Sequence, residues 1–447
     1  MKKLFHAWLI SVLLISFSCK DDKVDEYKTY PLNIELVYPA TNNYQPVAGI
    51  VVSLTDATSN QRIEAKTDDK GVAQFTVAAG VYDAAATDNR QGDGVAYVLN
   101  GTKAGITITE SWSGTENIKM ELVESQLSQV IIKELNYGGT PKDDGSGSFN
   151  YDKYVILYNN STLPASLDNV CLAITLPYGP KGSFNKDYIN DKLFYEAENW
   201  VPAGQAFWYF KQPVTLEPYS KLVIALSNAI DNTKTYSKSI NFANPDYYCT
   251  YDIDVFNHKL TYPAPSEVIP TSHYLKAVAY GAGTAWAVAI QGPGFFLFSP
   301  KGQTKEAFAE NAENIDVYGG FAALKRKKVP VEWVLDGVEV FNSDWDDNKK
   351  RLNTVIDAGY VFGTMKKGYT IYRNVDKDAT EAIKENEGKL VYNYTYGTAE
   401  LEKGSTDPSG IDAEASIKNG AKIVYMNTNN STTDFHQRKE ASLRFNP

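Results

Sequence analysis

Residues 130–137 read Val-Ile-Ile-Lys-Glu-Leu-Asn-Tyr, a short run dominated by β-branched and aliphatic side chains. A run of this length and composition predicts a β-strand. The glycine-rich stretch 138–149 follows it and predicts a loop. Residues 152–160, Asp-Lys-Tyr-Val-Ile-Leu-Tyr-Asn-Asn, predict a second strand that ends in a turn. The middle of the chain is therefore expected to be built from strands.

Further apolar runs downstream extend this pattern to the rest of the middle region. They lie at residues 171–176, 216–226 and 331–340. Several short strands separated by turn signals are typical of a β-sandwich. We therefore expect a mainly β protein.

The order of these strands resembles a lamin-tail domain, which is an immunoglobulin-like β-sandwich. The resemblance rests on Glu-Leu-Asn-Tyr at 134–137, Asp-x-Tyr-x-x-Leu-Tyr-Asn at 152–159 and Asp-x-Val at 336–338. Ile156 stands where that family usually has glutamate. Residues 229–330 replace a short connection of the family and are expected to form a large insertion. A different β-sandwich is the alternative interpretation of residues 124–447.

Residues 31–123 predict a separate first module. The string Pro-Val-x-Gly at 46–49 is followed by Thr-Asp-x-x-Gly at 67–71 and then by Phe-x-Val-x-x-Gly-x-Tyr at 75–82. These motifs resemble the carboxypeptidase-regulatory-like, transthyretin-like β-sandwich. The resemblance implies a spacer without chemistry of its own.

Residues 360–447 have a different sequence pattern and are expected to form a C-terminal extension of mixed secondary structure. They include a predicted short helix at 377–387 and the polar string Asn-Thr-Asn-Asn-Ser-Thr-Thr-Asp-Phe at 427–435. Together with the lamin-tail-like strands, they resemble an uncharacterised family of Bacteroidota lipoproteins, known as a domain of unknown function. The resemblance supplies no activity and no catalytic residues.

The first 18 residues predict a lipoprotein signal peptide. Lys2 and Lys3 precede an apolar run that is too short to span a membrane, and small residues lead to Cys19. This pattern resembles a lipobox, which implies lipid on the Cys19 thiol. An ordinary secretory peptide is the alternative.

Residues 19–30 predict a polar tether that connects the membrane anchor to the folded part of the chain. The start Cys-Lys-Asp-Asp at 19–22 resembles the export signal of Bacteroidota lipoproteins. It implies the outer membrane and the cell surface, with a periplasm-facing tether as the alternative.

The net charge of the chain is −10, and loss of Lys2 and Lys3 with the signal makes the mature chain −12. So acidic a chain without a basic stripe argues against nucleic-acid binding. Cys171 and Cys249 are the cysteines of the mature body, and two buried free thiols are favoured over a disulfide.

No nucleophile elbow or phosphate-binding loop occurs in the sequence, so we expect a non-enzymatic protein without an organic cofactor. Two acidic loops could bind calcium, which needs six to eight oxygen ligands. One contains Asp143, Asp144 and Asp152, and the other contains Asp344 and Asp346. Neither loop has EF-hand spacing, and an acidic surface turn is the alternative.

The chain holds 30 Tyr and 7 Trp, more than a core of this size requires. Sugar rings stack on such aromatic faces. Four aromatic residues in or beside apparent insertions are therefore candidates for ligand binding, namely Trp200, Trp208, Tyr209 and Trp286. Burial in a sandwich core is the alternative.

These observations favour a cell-surface lipoprotein that binds a ligand or serves an outer-membrane TonB-dependent uptake channel. The channel is inferred by analogy with similar lipoproteins. A glycan-binding protein, a structural adhesin or scaffold, and a metal-dependent hydrolase are the competing hypotheses.

Overall fold

The computed structural model describes residues 28–40, 44–59, 61–92 and 95–444. The predicted signal peptide, Cys19 and most of the predicted tether lie outside the described residues. No helix within the described ranges has the length and apolarity needed to cross a membrane.

The first module consists of eight strands in two sheets. They are β1 (Thr29–Val37), β2 (Val51–Asp56), β3 (Arg62–Lys66), β4 (Val72–Ala78), β5 (Gly80–Gly92), β6 (Val95–Ile108), β7 (Ile118–Glu121) and β8 (Val123–Gln126). The sheet orders are β4-β1-β7 and β3-β2-β5-β6-β8. Alternate residues of β1 point inward. Leu32 and Ile34 share a core with Phe75 of the neighbouring strand β4 and with Leu54 of β2 in the opposite sheet. The first module is thus built from two sheets around a common core.

The remaining strands belong to the larger second module. They are β9 (Val130–Asn136), β10 (Thr140–Pro141), β11 (Ser148–Phe149), β12 (Tyr154–Asn159), β13 (Ala165–Ser166), β14 (Cys171–Thr175), β15 (Tyr188–Ile189), β16 (Lys192–Leu193), β17 (Trp200–Tyr209), β18 (Thr215–Leu216), β19 (Lys221–Ala225), β20 (Tyr248–Cys249), β21 (Lys276–Ala279), β22 (Gly294–Phe298), β23 (Ile315–Val317), β24 (Lys325–Pro330), β25 (Val334–Asn342), β26 (Val361–Gly363), β27 (Thr370–Arg373) and β28 (Phe435–Arg438).

Two large sheets of the second module face each other across its main core. One sheet has the order β20-β19-β12-β9-β27-β28, and the other has the order β23-β24-β17-β14-β22-β25-β26, with β21 also paired to β17. Ile132 and Leu135 of β9 meet Leu172 of β14 and Phe295 of β22 in this core. The chain is therefore mainly β and sandwich-like, which confirms the predicted fold class.

The predicted insertion of residues 229–330 contributes strands to the large sheets. Its second part supplies β21, β22, β23 and β24 to a large sheet, and β22 lies centrally between β14 and β25. Every residue of β22 is buried, since Phe295 faces the main core while Phe296 and Phe298 face a second cluster behind the sheet. The apolar run of β22 therefore reflects burial on both faces.

The C-terminal segment also completes a large sheet. Strand β27 pairs with β9 through Ile371 opposite Leu135 and Tyr372 opposite Glu134. The outer face of β9 is covered by residues of the same segment, including Ile411 and Tyr425, which pack on Ile131. This cover explains why β9 is buried along its whole length, including Lys133 and Glu134.

Helices in the described part of the chain are short. They are α1 (Phe194–Ala197), α2 (Lys305–Glu310), α3 (Lys377–Glu381), α4 (Ala413–Lys418) and α5 (Ser431–Asp434). Several begin at a polar cap, and Asp412, for example, accepts a hydrogen bond from the Ala415 amide at 3.0 Å. Of these helices, α5 matters most for the site below, because it supports one wall of a pocket.

Candidate functional site

An open pocket of about 570 Å³ lies where β26 begins at the edge of a large sheet. Three separate parts of the chain form its walls. The lining residues are Tyr360, Val361, Phe362, Glu402, Lys403, Gly404, Ser405, Thr432 and Phe435. We call this cavity the Tyr360 pocket.

The Tyr360 ring forms an aromatic platform in this pocket. It stacks on Phe341 with ring centroids 4.1 Å apart and planes 11° apart, and it meets Phe362 edge-on at 5.2 Å. Phe341 is buried, whereas Tyr360 remains 37% exposed. Burial, assisted by the negative charge of Asp83, raises the pKa of Tyr360. The platform is therefore neutral at physiological pH and has a packed support.

The backbone on either side of Tyr360 is held by hydrogen bonds to α5. The Thr432 hydroxyl accepts from the Tyr360 amide at 3.1 Å and donates to the Tyr360 carbonyl at 2.8 Å. Asp357, which is fully buried, accepts from the Ser431 amide at 2.7 Å and from the Gly359 amide at 2.9 Å. A side chain at Gly359 would collide with Asn430 and Thr432, so only glycine fits this turn. The aromatic platform is thus fixed before any ligand arrives.

The opposite wall is the loop that contains Glu402, Lys403 and Ser405. Lys403 extends over the Phe362 ring at 5.3 Å, and its ammonium donates to the Trp345 carbonyl at 3.2 Å and to Asp346 at 3.1 Å. The Ser405 hydroxyl accepts from the backbone N–H of Gln437 at 2.9 Å. A carboxylate, an ammonium and hydroxyls therefore surround a flat apolar surface. Such a combination can hold a polar ring by stacking together with hydrogen bonds.

The comparisons with known proteins found one family model that matches the middle of the chain. Residues 217–409 match a family model described as "Protein of unknown function (DUF4876)". The matched span contains Tyr360, Phe362, Glu402 and Lys403, whereas Thr432 and Phe435 lie beyond it.

A solved structure of similar fold is the crystal structure of a DUF4876 family protein from Bacteroides thetaiotaomicron VPI-5482. The two chains are 17% identical, with a TM-score of 0.50, and the likeness covers 91% of this chain and 94% of that chain. At this identity the likeness concerns the fold alone. No curated protein shows significant similarity to the chain. The findings support the expected domain-of-unknown-function family at this coarse level.

Three of the four aromatic residues predicted to bind ligand are buried. Trp200, Trp208 and Trp286 are 4%, 0% and 2% exposed. Trp200 packs beside Tyr195 and under Arg326, and Trp208 packs against Phe256. The rings of Trp200 and Trp208 are occupied by protein contacts, so these two residues do not present an exposed platform.

Tyr209 and Trp286 have different surroundings. Tyr209 is half-buried, and its ring lies 5.3 Å from the Lys305 ammonium. It follows Trp208 on β17 and therefore points to the opposite face of the sheet. Trp286, inside the DUF4876 match, contacts Trp208 at 6.2 Å and also lines a separate pocket of about 350 Å³. The four predicted residues thus do not form one site.

The aspartates of the first predicted calcium loop are engaged by other protein groups. Asp143 accepts from the Ser237 amide and hydroxyl at 2.8 Å, and Asp144 accepts from the Ser146 amide at 2.9 Å. Asp152 is buried and accepts from Thr140 at 3.1 Å, and burial raises the pKa of Asp152 to about 6.

The second predicted calcium loop is likewise not assembled. Asp346 pairs with Lys403, and Asp344 accepts a weak hydrogen bond from Ser343 at 3.4 Å. Among the residues that the structure describes, no three of the His, Cys, Asp and Glu side chains are grouped so that they could hold a metal ion. Calcium binding by the two loops stays a prediction.

The two body cysteines are free and buried, as the sequence favoured. Burial raises the pKa of the Cys171 thiol and raises that of Cys249 to about 12. Both thiols are therefore protonated and packed as small apolar side chains.

The sequence contains a local signal for the Tyr360 pocket. Residues 359–363 read Gly-Tyr-Val-Phe-Gly, in which two aromatic residues alternate on a short strand between glycines. Alternation places Tyr360 and Phe362 on one face of the strand. The other walls, 402–405 and 432–435, had no comparable local signal.

Proposed function

We propose that the chain is a non-enzymatic, lipid-anchored binding protein of the cell surface that holds a saccharide in the Tyr360 pocket. The observation that carries this proposal is the half-exposed Tyr360 ring, stacked on Phe341 and flanked by Glu402, Lys403 and Ser405. Aromatic faces bind the C–H surface of sugar rings, while charged and hydroxyl side chains bind sugar hydroxyls. A pocket of this size accommodates one or two sugar units.

Tyr360→Ala is expected to lower the affinity for a bound glycan by about tenfold or more, because it removes the stacking face. The protein should first be screened on a glycan array, and the affinities of the hits should then be measured by calorimetry. Tyr392→Ala is the matched control, since Tyr392 is a similarly exposed tyrosine outside the pocket. The proposal fails if no glycan binds or if both variants bind equally well.

The anchor on Cys19 is the second part of the proposal. Replacing Cys19 with serine should release the protein from the membrane fraction, because serine cannot receive the thioether-linked lipid. Fractionation of cells that express the two forms measures this. Surface display is tested with protease on intact cells, and complete protection of the wild-type chain would contradict it.

The lamin-tail-like and transthyretin-like assignments belong to this proposal, with the first module as a spacer that carries the second. Service to a TonB-dependent uptake channel is the form of surface binding that we favour by analogy. An adhesin or scaffold is the alternative. Co-purification of a channel from detergent-solubilised outer membranes would favour uptake, and its absence together with binding to extracellular matrix would favour adhesion.

A further inference from the structure

A second pocket of about 350 Å³ lies beside the start of β12 and contains an unpaired lysine. Its apolar wall includes Leu226, Trp286, Val288 and Ile290. Lys153 is partly buried in this wall, and its ammonium donates to the Val288 carbonyl at 2.5 Å. An ammonium has three N–H donors, so this single hydrogen bond leaves further donor capacity.

The electrostatic surroundings of Lys153 are unusual for a lysine in a protein interior. Within the part of the chain that the structure describes, no carboxylate is paired with Lys153, and the pocket lining contains no Asp or Glu. The other titratable side chains of the lining are His258 and Tyr151. A desolvated ammonium without a counter-charge is costly, and a bound anion would offset that cost.

We infer that this pocket, which we call the Lys153 pocket, binds a small monocarboxylate whose carboxylate pairs with the Lys153 ammonium and whose body packs on Trp286 and Ile290. It shares no lining residue with the Tyr360 pocket and does not depend on the saccharide proposal. The apolar lining suits a carboxylic acid whose remaining part is apolar. A uronic acid is the alternative ligand, since it carries the same carboxylate on a polar sugar ring.

The affinity for a carboxylate should fall as the pH rises through about 8. Burial lowers the pKa of Lys153 to about 8. Without a bound ligand, the Lys153 ammonium therefore loses its proton and its charge at a pH well below the ordinary lysine range. A bound anion favours the ammonium, and proton uptake is therefore coupled to binding above this pH. The arginine of Lys153→Arg stays charged across this pH range, so this variant should show no loss of affinity for the carboxylate. A loss caused by titration of His258 or Tyr151 would persist in the variant.

The test is calorimetric titration of the full-length protein in detergent with benzoate, its neutral analogue benzamide, and glucuronate. Benzoate should bind at least about tenfold more tightly than benzamide, because only benzoate can form the charged hydrogen bond. Binding by benzoate identifies an apolar acid and binding by glucuronate alone identifies a sugar acid. Binding by neither, or equal binding of benzoate and benzamide, overturns the inference.

Two variants and a control test the location of the site. Lys153→Met should weaken carboxylate binding about tenfold or more, since it keeps the chain length and removes the charge. Lys259→Met, an equal charge change at an exposed neighbour of His258, should leave it unchanged. If Lys153→Met does not fold, Ala285→Leu narrows the pocket without touching Lys153 and should also weaken binding. Unchanged binding in a folded Lys153→Met or Ala285→Leu variant overturns the inference.

Discussion

Replacing Arg373 with methionine is expected to lower the free energy of unfolding by about 3–5 kcal/mol, the usual effect of removing one partner from a buried ion pair. Arg373 on β27 is fully buried and pairs with Asp336 of β25 and with Asp434 of α5. It also donates to the Ile132 carbonyl at 2.7 Å and to the Met426 carbonyl at 2.9 Å. The substitution leaves two buried carboxylates without their counter-charge.

The stability deficit of Arg373→Met should be larger at neutral pH than in mild acid. Burial raises the pKa of Asp336 and raises that of Asp434 to about 6, while Arg373 opposes both shifts. Without Arg373 the folded-state pKa values rise further above the unfolded values. The folded variant then binds protons more readily than the unfolded chain, so its stability grows as the pH falls. Urea unfolding of both proteins at about pH 7.5 and about pH 5 measures the difference.

Arg62→Met is the matched control, because the Arg62–Glu64 pair is about half exposed on both sides. Arg62→Met should lower the free energy of unfolding by no more than about 1 kcal/mol, as is usual for exposed ion pairs. The buried network supports the Tyr360 pocket as well, since the Arg373 guanidinium lies 4.2 Å from the ring of Phe435, which lines that pocket. Equal destabilisation by Arg373→Met and Arg62→Met would contradict the role assigned to Arg373.

Trp208→Ala is the second substitution with a large expected effect, a loss of about 3–5 kcal/mol in the free energy of unfolding. Trp208 is completely buried between the two large sheets and contacts Phe256 at 5.6 Å and Tyr262 at 6.2 Å. Alanine leaves a cavity that the surrounding rings cannot fill. Chemical denaturation followed by circular dichroism measures the loss.

Trp208→Phe should cost less than Trp208→Ala. The indole N–H of Trp208 has no hydrogen-bond partner, so phenylalanine removes an unsatisfied donor while it keeps most of the apolar volume. Phe184→Ala is the control for aromatic truncation, since Phe184 is 68% exposed, and its effect should be within about 0.5 kcal/mol. A stable Trp208→Ala variant that loses glycan binding would restore Trp208 as a ligand-binding residue.

Local patterns predicted the strands well where one face is buried and the other faces solvent. In β1, buried and more exposed residues alternate, as the sequence of residues 32–36 indicated. The same reasoning separated the first module from the second, although β8 continues to Gln126, past the expected boundary at 123. Strand β22 was assigned to an insertion, because burial on both faces removes the alternation that marks a strand.

The candidate site was less predictable than the fold, because aromatic residues have similar local signals whether they bind ligands or fill cores. Trp208 and Tyr360 both lie next to strand patterns. Trp208 is enclosed by residues within 256–286, whereas Tyr360 is partly exposed beside residues 402–405. Only contacts between distant segments decide between these outcomes.

The sequence by itself determined that the chain is built mainly from strands, because strand formation depends on side-chain alternation and turn residues within a few positions. It also supplied the features that motivate a lipid anchor. The tertiary structure alone decided which aromatic rings stay open, which aspartates meet Arg373, and that Lys153 faces a pocket without a carboxylate. Burial and ion pairing depend on segments tens to hundreds of residues apart, and no local pattern encodes which of them will meet.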